Sequence, residues 1–248
     1  VFQTFLRTTY SDDIQGPAQA AFAYKTLGAK TAYIVYDTDA YGTGLRDAFR
    51  KAYEKEGGKI VGSPEGYEKK ATDFKSIVTN IQNAKPDIVY FAGFYSEASP
   101  FIKQLRAVNK DVKFLAGDGV KNDEFTKGAG ADAEGAYLSL PSPVYTGEGF
   151  TKFSSLFEKA TGLKVDASPF VAESYDAATV AQYAAAVADE NQDLQDFLRA
   201  TLVRPGFVPI FESWEAQLAA GQTPTNLLAD DEYLGELYVE IGQMEKAK

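Results

Sequence analysis

The feature that most constrains this chain is an alternation that runs from Thr31 to Leu140. Short β-rich runs take turns with amphipathic helical runs at a spacing of ten to twenty residues. Thr31-Ala32-Tyr33-Ile34-Val35-Tyr36 is continuous, β-branched and aromatic, as a strand covered on both faces must be. Asp37 to Gly42 reads as a turn. Gly44 to Glu56 then reads as a helix with Leu45, Ala48, Phe49 and Ala52 on one face, stopped by Gly57-Gly58. Lys59 to Gly62 reads as a short strand. Thr72 and Asp73 are candidate N-caps for a helix carrying Phe74, Ile77, Val78 and Ile81. Pro86 precedes the strand Asp87 to Ala92, and Ser96 to Val108 reads as the next helix. Val112 to Gly117 and Gly135 to Leu140 read as two further strands. Strand, helix, strand at this spacing calls for parallel strands joined by crossover helices. The expected fold class is therefore α/β, a doubly wound and mostly parallel sheet.

Sheets of this kind bind ligands outside the carboxyl ends of their strands. The turns at 37–42, 93–97 and 117–122 are thus the places to look for a site. After Leu140 the sequence turns helical, with helices expected at Phe150 to Thr161, Pro169 to Val187, Asp193 to Leu202, Ser213 to Ala220 and Asp230 to Lys246. Composition divides the chain near the same region. Residues 188–248 hold twelve acids and four bases, which is −8 of the total formal charge of −10. We expect two parts: residues 1–187, an α/β lobe with the start of a crossover, and residues 188–248, an acidic and mainly helical segment.

Several function classes drop out. With no cysteine and no histidine, the chain has no disulfide, thiolate nucleophile or Ser-His-Asp triad, and lacks the usual ligands of a zinc site. The acidic balance argues against nucleic acid or an anionic membrane surface as partner. No apolar run reaches the roughly 18 residues that a spanning helix needs, so the chain is not expected to insert in a membrane. Val1-Phe2-Gln3-Thr4 has neither the basic nor the apolar region of a signal peptide, which fits a processed chain or one that begins inside a longer sequence. Tyr41-Gly42-Thr43-Gly44 before a helix has the start of a phosphate cradle, but Asp47 stands where a dinucleotide fingerprint needs its third glycine. Asp12-Asp13, Asp37/Asp39 and Asp230-Asp231-Glu232 lack the spacing of a calcium loop and read as solvated acidic surface. No cofactor and no metal are expected. No paired catalytic constellation is found, so an enzyme is not expected either.

The strand-end residues resemble those of a known family. Phe5-Leu6-Arg7-Thr8 with Asp12-Asp13-Ile14-Gln15-Gly16-Pro17, then Tyr36-Asp37 through Tyr41-Gly42-Thr43-Gly44, Phe91-Ala92-Gly93-Phe94-Tyr95, Phe114-Leu115-Ala116-Gly117-Asp118-Gly119 and Phe170 to Ala178 occur in unbroken order. Together they resemble the second lobe of the type I periplasmic substrate-binding proteins for leucine, isoleucine and valine. The resemblance implies a two-lobed clamp that closes on an amino acid. It implies that Asp118 pairs with the ligand's ammonium and that Tyr41 and Phe94 wall the side-chain pocket. Phe170 is implied as a further apolar wall, with Tyr95 and Asn122 as adjacent contacts. Read from residues alone, Asp118 in Gly-Asp-Gly also fits a turn carboxylate, and the aromatics also fit core packing.

The family's first lobe is built mainly from a stretch upstream of this match, and no second set of alternating strands and helices replaces it here. Residues 206–248 do not resemble the family's return to that lobe. The implied role is the solute-binding component of an ABC-type amino-acid uptake system, periplasmic or extracytoplasmic, with a membrane permease as partner. A second reading stays open: a lone lobe, truncated or engineered, that acts as an interaction module without a ligand. It would form a homo-oligomer through the exposed interlobe face or the C-terminal helices.

Overall fold

The computed structural model describes residues 9–140, 147–165 and 170–188, together with Asp193, Asp196, Ala216 and Ala220. The helices expected after Val187, and the Phe5 to Thr8 segment, lie outside the described residues apart from those four positions. The chain divides into two compact units, one of residues 11–140 and one of residues 1–10 with 141–248.

The first unit is a single sheet with helices on both faces. Its elements in chain order are α1 (Asp12–Ala21, continued by a π-helical turn Phe22–Thr26), β1 (Thr31–Asp37), α2 (Ala40–Lys55), β2 (Lys59–Ile60) and β3 (Glu65–Tyr67). There follow α3 (Lys75–Ala84), β4 (Ile88–Ala92), α4 (Tyr95–Val108), β5 (Lys113–Ala116), α5 (Asp123–Ala129) and β6 (Ala136–Leu138). Every described strand pair is parallel, in the order β2-β1-β4-β5-β6. β3 also pairs with β1, beside its carboxyl half at Val35 to Asp37, while β2 pairs with its amino half at Thr31 and Ala32. The two short strands thus share one edge position.

Side-chain alternation explains why the central strands β1, β4 and β5 carry apolar residues on both faces. Tyr33, Val35, Val89, Phe91 and Phe114 face a cluster completed by Phe74, Val78 and Ile81 of α3, Phe101 and Leu105 of α4 and Phe125 of α5. Ala32, Ile34, Ile88, Tyr90 and Leu115 face the opposite cluster, completed by Ala20 of α1 and Leu45, Phe49 and Tyr53 of α2. At the centre of that second cluster the Phe49 and Tyr90 rings stack with centroids 3.7 Å apart.

The structure moves some expected boundaries. α2 begins at Ala40 inside the expected turn, with Asp39 at its N-cap position. The N-cap position of α3 is Phe74, not Thr72 or Asp73, although Asp73 Oδ1 still accepts from Lys75 N at 3.1 Å. α1 was not expected, because Gly16 and Pro17 break the pattern inside it. Asp37 is not solvated surface: it is 1% exposed and its Oδ1 accepts from Asp39 N at 2.7 Å, closing the turn after β1. Asp39 forms an ion pair with Lys69.

In the other unit, α6 (Glu148–Thr161) and α7 (Val171–Ala188) are described. Phe153 and Ala172 are buried there with Phe150, Phe157, Val171 and Tyr175 around them, and the Phe153 and Tyr175 rings lie 4.3 Å apart.

Candidate functional site

Strand register places the site. Tyr36 of β1 pairs with Ala92 of β4, and Phe91 pairs with Ala116 of β5, so the three strands end level with one another. The turns that follow them lie side by side. β1 and β4 are also where the chain reverses direction across the sheet: from β1 it goes to the β2/β3 edge, and from β4 to β5 and β6. Such a switch point leaves a crevice between the two turns, because their crossover helices lie on opposite faces.

Three predicted residues meet at that crevice. Tyr41 is the second residue of α2, Phe94 stands at the N-cap position of α4, and Asp118 opens a 3₁₀ turn, Asp118–Val120, after β5. The Tyr41 hydroxyl donates to Asp118 Oδ1 at 2.8 Å, across 77 residues of sequence. The Tyr41 and Phe94 ring centroids are 5.1 Å apart in a tilted arrangement. Asp118 is 8% exposed and Phe94 is 37% exposed. The site is thus a buried acid with a partly exposed aromatic pair beside it.

The two glycines around Asp118 make this approach available. A Cβ on Gly117 would lie 2.7 Å from the Tyr41 hydroxyl oxygen. A Cβ on Gly119 would lie 2.8 Å from the Gly93 carbonyl oxygen and 3.2–3.3 Å from the Phe94 and Tyr41 rings. Side chains at either position would push the Asp118 turn off the aromatic pair. Burial, and after it the neighbouring Asp118 carboxylate and its hydrogen bond, pushes the Tyr41 hydroxyl well above the ordinary tyrosine range. Tyr41 therefore remains a neutral donor to Asp118 at any physiological pH.

The other predicted residues sit elsewhere. Tyr95, the first residue of α4, packs against the α3–α5 cluster on the far face of the sheet. Asn122 occupies the N-cap position of α5, where its Oδ1 accepts from Glu124 N at 2.9 Å. Phe170 belongs to the other unit, just before α7, with a left-handed φ of 66°.

Sequence reasoning did not single out a polar network below the crevice. Gln15 Nε2 and Gln19 Nε2 each donate to Ser139 Oγ at 2.8 Å, and Gln19 Nε2 also lies 3.1 Å from the Ala116 carbonyl oxygen. Tyr90, at the sheet centre, donates its hydroxyl to Gln19 Oε1. The available signal was the pair of glutamines one helical turn apart in a stretch otherwise rich in alanine.

Among the described residues, no group of three or more His, Cys, Asp or Glu side chains converges to hold a metal ion. None of the described helices is long and apolar enough to cross a membrane.

Residues 1–207 match the family model of the periplasmic binding proteins. This chain belongs to that family. The match covers the whole of the first unit, so the Tyr41–Phe94–Asp118 crevice lies on a periplasmic-binding-protein scaffold. Among relatives, the chain is 37% identical over 119 residues to an amino acid binding protein of Pseudomonas aeruginosa, covering 48% of this chain and 32% of the relative. It is 29% identical over 180 residues to a leucine-, isoleucine-, valine-, threonine- and alanine-binding protein of the same organism, covering 72% of this chain and 47% of the relative. The fold matches the crystal structure of a leucine-binding protein from Thermotoga maritima with a TM-score of 0.64 at 23% identity, covering 94% of this chain and 55% of that one. This periplasmic binding protein chain thus spans a third to just over half of the length of these three proteins.

Proposed function

We propose that this chain carries the ammonium-binding side of an amino-acid site, and that the protein it represents is the solute-binding component of an ABC-type uptake system outside the cytoplasmic membrane. The observation that carries the reading is the junction at the switch point: a buried carboxylate, Asp118, oriented by a neutral tyrosine hydroxyl beside a partly exposed phenylalanine. A zwitterionic ligand with an apolar side chain needs one fixed negative charge for its ammonium and an apolar wall for its side chain. Asp118 supplies the first, and Tyr41 and Phe94 supply the second. In this reading Tyr95 and Asn122 act through the start of α4 and the cap of α5. The relatives named for small and branched amino acids support this ligand class.

Saturation-transfer NMR with L-leucine tests the reading and is sensitive to weak binding. A half-site of this kind is expected to bind at about 1 mM, equivalent to roughly −4 kcal/mol. Asp118→Asn should abolish the transfer, and N-acetyl-L-leucine, which lacks the ammonium, should give none with the unmodified chain. Equal transfer from leucine and its N-acetyl derivative would refute the assignment of Asp118.

A further inference from the structure

We propose that Gln15, Gln19 and Ser139 are positioning residues that tie the Asp118 turn to both places where the chain passes between its two units. The unit boundaries fall between Tyr10 and Ser11 and between Leu140 and Pro141. α1 starts at Asp12, the second residue after the first boundary, and Ser139 is the second residue before the other. These two points are far apart in sequence, yet one hydroxyl joins them: Ser139 Oγ accepts from Gln15 Nε2 and from Gln19 Nε2, both at 2.8 Å.

The same network reaches the site. The Ala116 carbonyl lies 3.1 Å from Gln19 Nε2 and 3.1 Å from Ser139 N, and Ala116 is two residues before Asp118. The next residue, Gly117, lies against both Gln15 and Tyr41. A Cβ there would be 3.4 Å from Gln15 Nε2 and 2.7 Å from the Tyr41 hydroxyl oxygen. Gln15 and Gln19 are 4% and 3% exposed, and the fully buried Tyr90 anchors Gln19 Oε1. Buried amides with satisfied partners have few alternative positions, because every displaced donor would lose its partner away from water. A shift of either crossing segment is therefore transmitted to residues 116–118, and a shift of the Asp118 turn on binding is transmitted to both crossings.

The consequence for binding rests on the reading of Asp118 given above, but the primary test does not. Amide hydrogen exchange is followed in the full chain without ligand for the wild type, Ser139→Ala, Ser139→Thr and Gln15→Ala. Loss of one such bond corresponds to roughly fivefold in a local opening equilibrium. Ser139→Ala is expected to raise exchange by about that factor or more at the first bonded amides of α1, residues 14–16, and at residues 116–121 together. Ser139→Thr, which keeps the hydroxyl, should restore protection in both segments. An increase confined to residues 137–140, or no increase, overturns the proposal. If Ser139→Ala loosens the entire sheet, Gln15→Ala, which leaves the Gln19 bonds in place, decides on the same two segments. In the leucine arm, Ser139→Ala should weaken the saturation-transfer response about fivefold with Asp118 intact. Asp118→Asn should lose that response with exchange at residues 14–16 unchanged. Absence of a leucine response in the wild type would sink the ligand assignment alone, leaving the exchange result to decide the coupling.

Discussion

Asp118 is held from the side by Tyr41, and the pair is set by burial more than by charge. Among the described residues, Tyr41, Tyr33, Tyr53, Tyr67 and Tyr90 have hydroxyls that burial lifts above the ordinary value of 10.0. The sign of the stability effect follows from proton counting. Above pH 10 the unfolded chain releases these protons while the native chain keeps them, so their contribution is complete below pH 10 and falls as pH rises beyond it. Absorbance at 295 nm is expected to show these five of the fifteen tyrosines ionising only together with loss of the circular dichroism signal. Titration of all fifteen near pH 10 in a still-folded chain would contradict this. At this scale the sequence was informative about Tyr41, Phe94 and Asp118, because each follows a recognisable strand and the order of the three turns is distinctive. It was uninformative about Gln15, Gln19 and Ser139. A polar side chain in a helix face or at a strand end looks the same whether it faces water or a buried hydroxyl 120 residues away.

At the scale of elements, strands with continuous apolar runs were legible because burial on both faces leaves little choice of residue. β3 was not: Glu65-Gly66-Tyr67 is short and polar, and it becomes a strand only through pairing with the carboxyl half of β1. α1 was hidden by Gly16 and Pro17, yet it forms because its Gln15, Gly16, Gln19 and Ala20 face is buried. A close helix-to-helix approach accounts for the glycine: a Cβ on Gly16 would lie 2.6 Å from the Ala48 Cβ of α2. α2 in turn rests on Phe49, which is fully buried and stacked on Tyr90. Phe49→Ala is expected to cost about 3–5 kcal/mol in urea-induced unfolding. It should also loosen Gln19, whose amide oxygen depends on the Tyr90 hydroxyl. A loss below about 1 kcal/mol would mean that the α2 face of the sheet is not closely packed.

At the scale of the molecule, the level ends of β1, β4 and β5 gather three turns into one crevice, and the polar network beneath it links that crevice to both passages of the chain between units. Parallel sheet, switch-point site and family membership agree with one another. The division at residues 187/188 expected from charge falls at the end of α7, and the acidic segment beyond it lies outside the described residues apart from the four positions named above. The central claim is that the Asp118 crevice recognises an amino acid, and the most direct measurement is a ¹⁵N–¹H correlation spectrum of the full chain titrated with L-leucine. Saturable shifts are expected that centre on Tyr41, Phe94 and residues 117–119 and vanish in Asp118→Asn. Shifts centred elsewhere in the chain, or unchanged by that substitution, would contradict it.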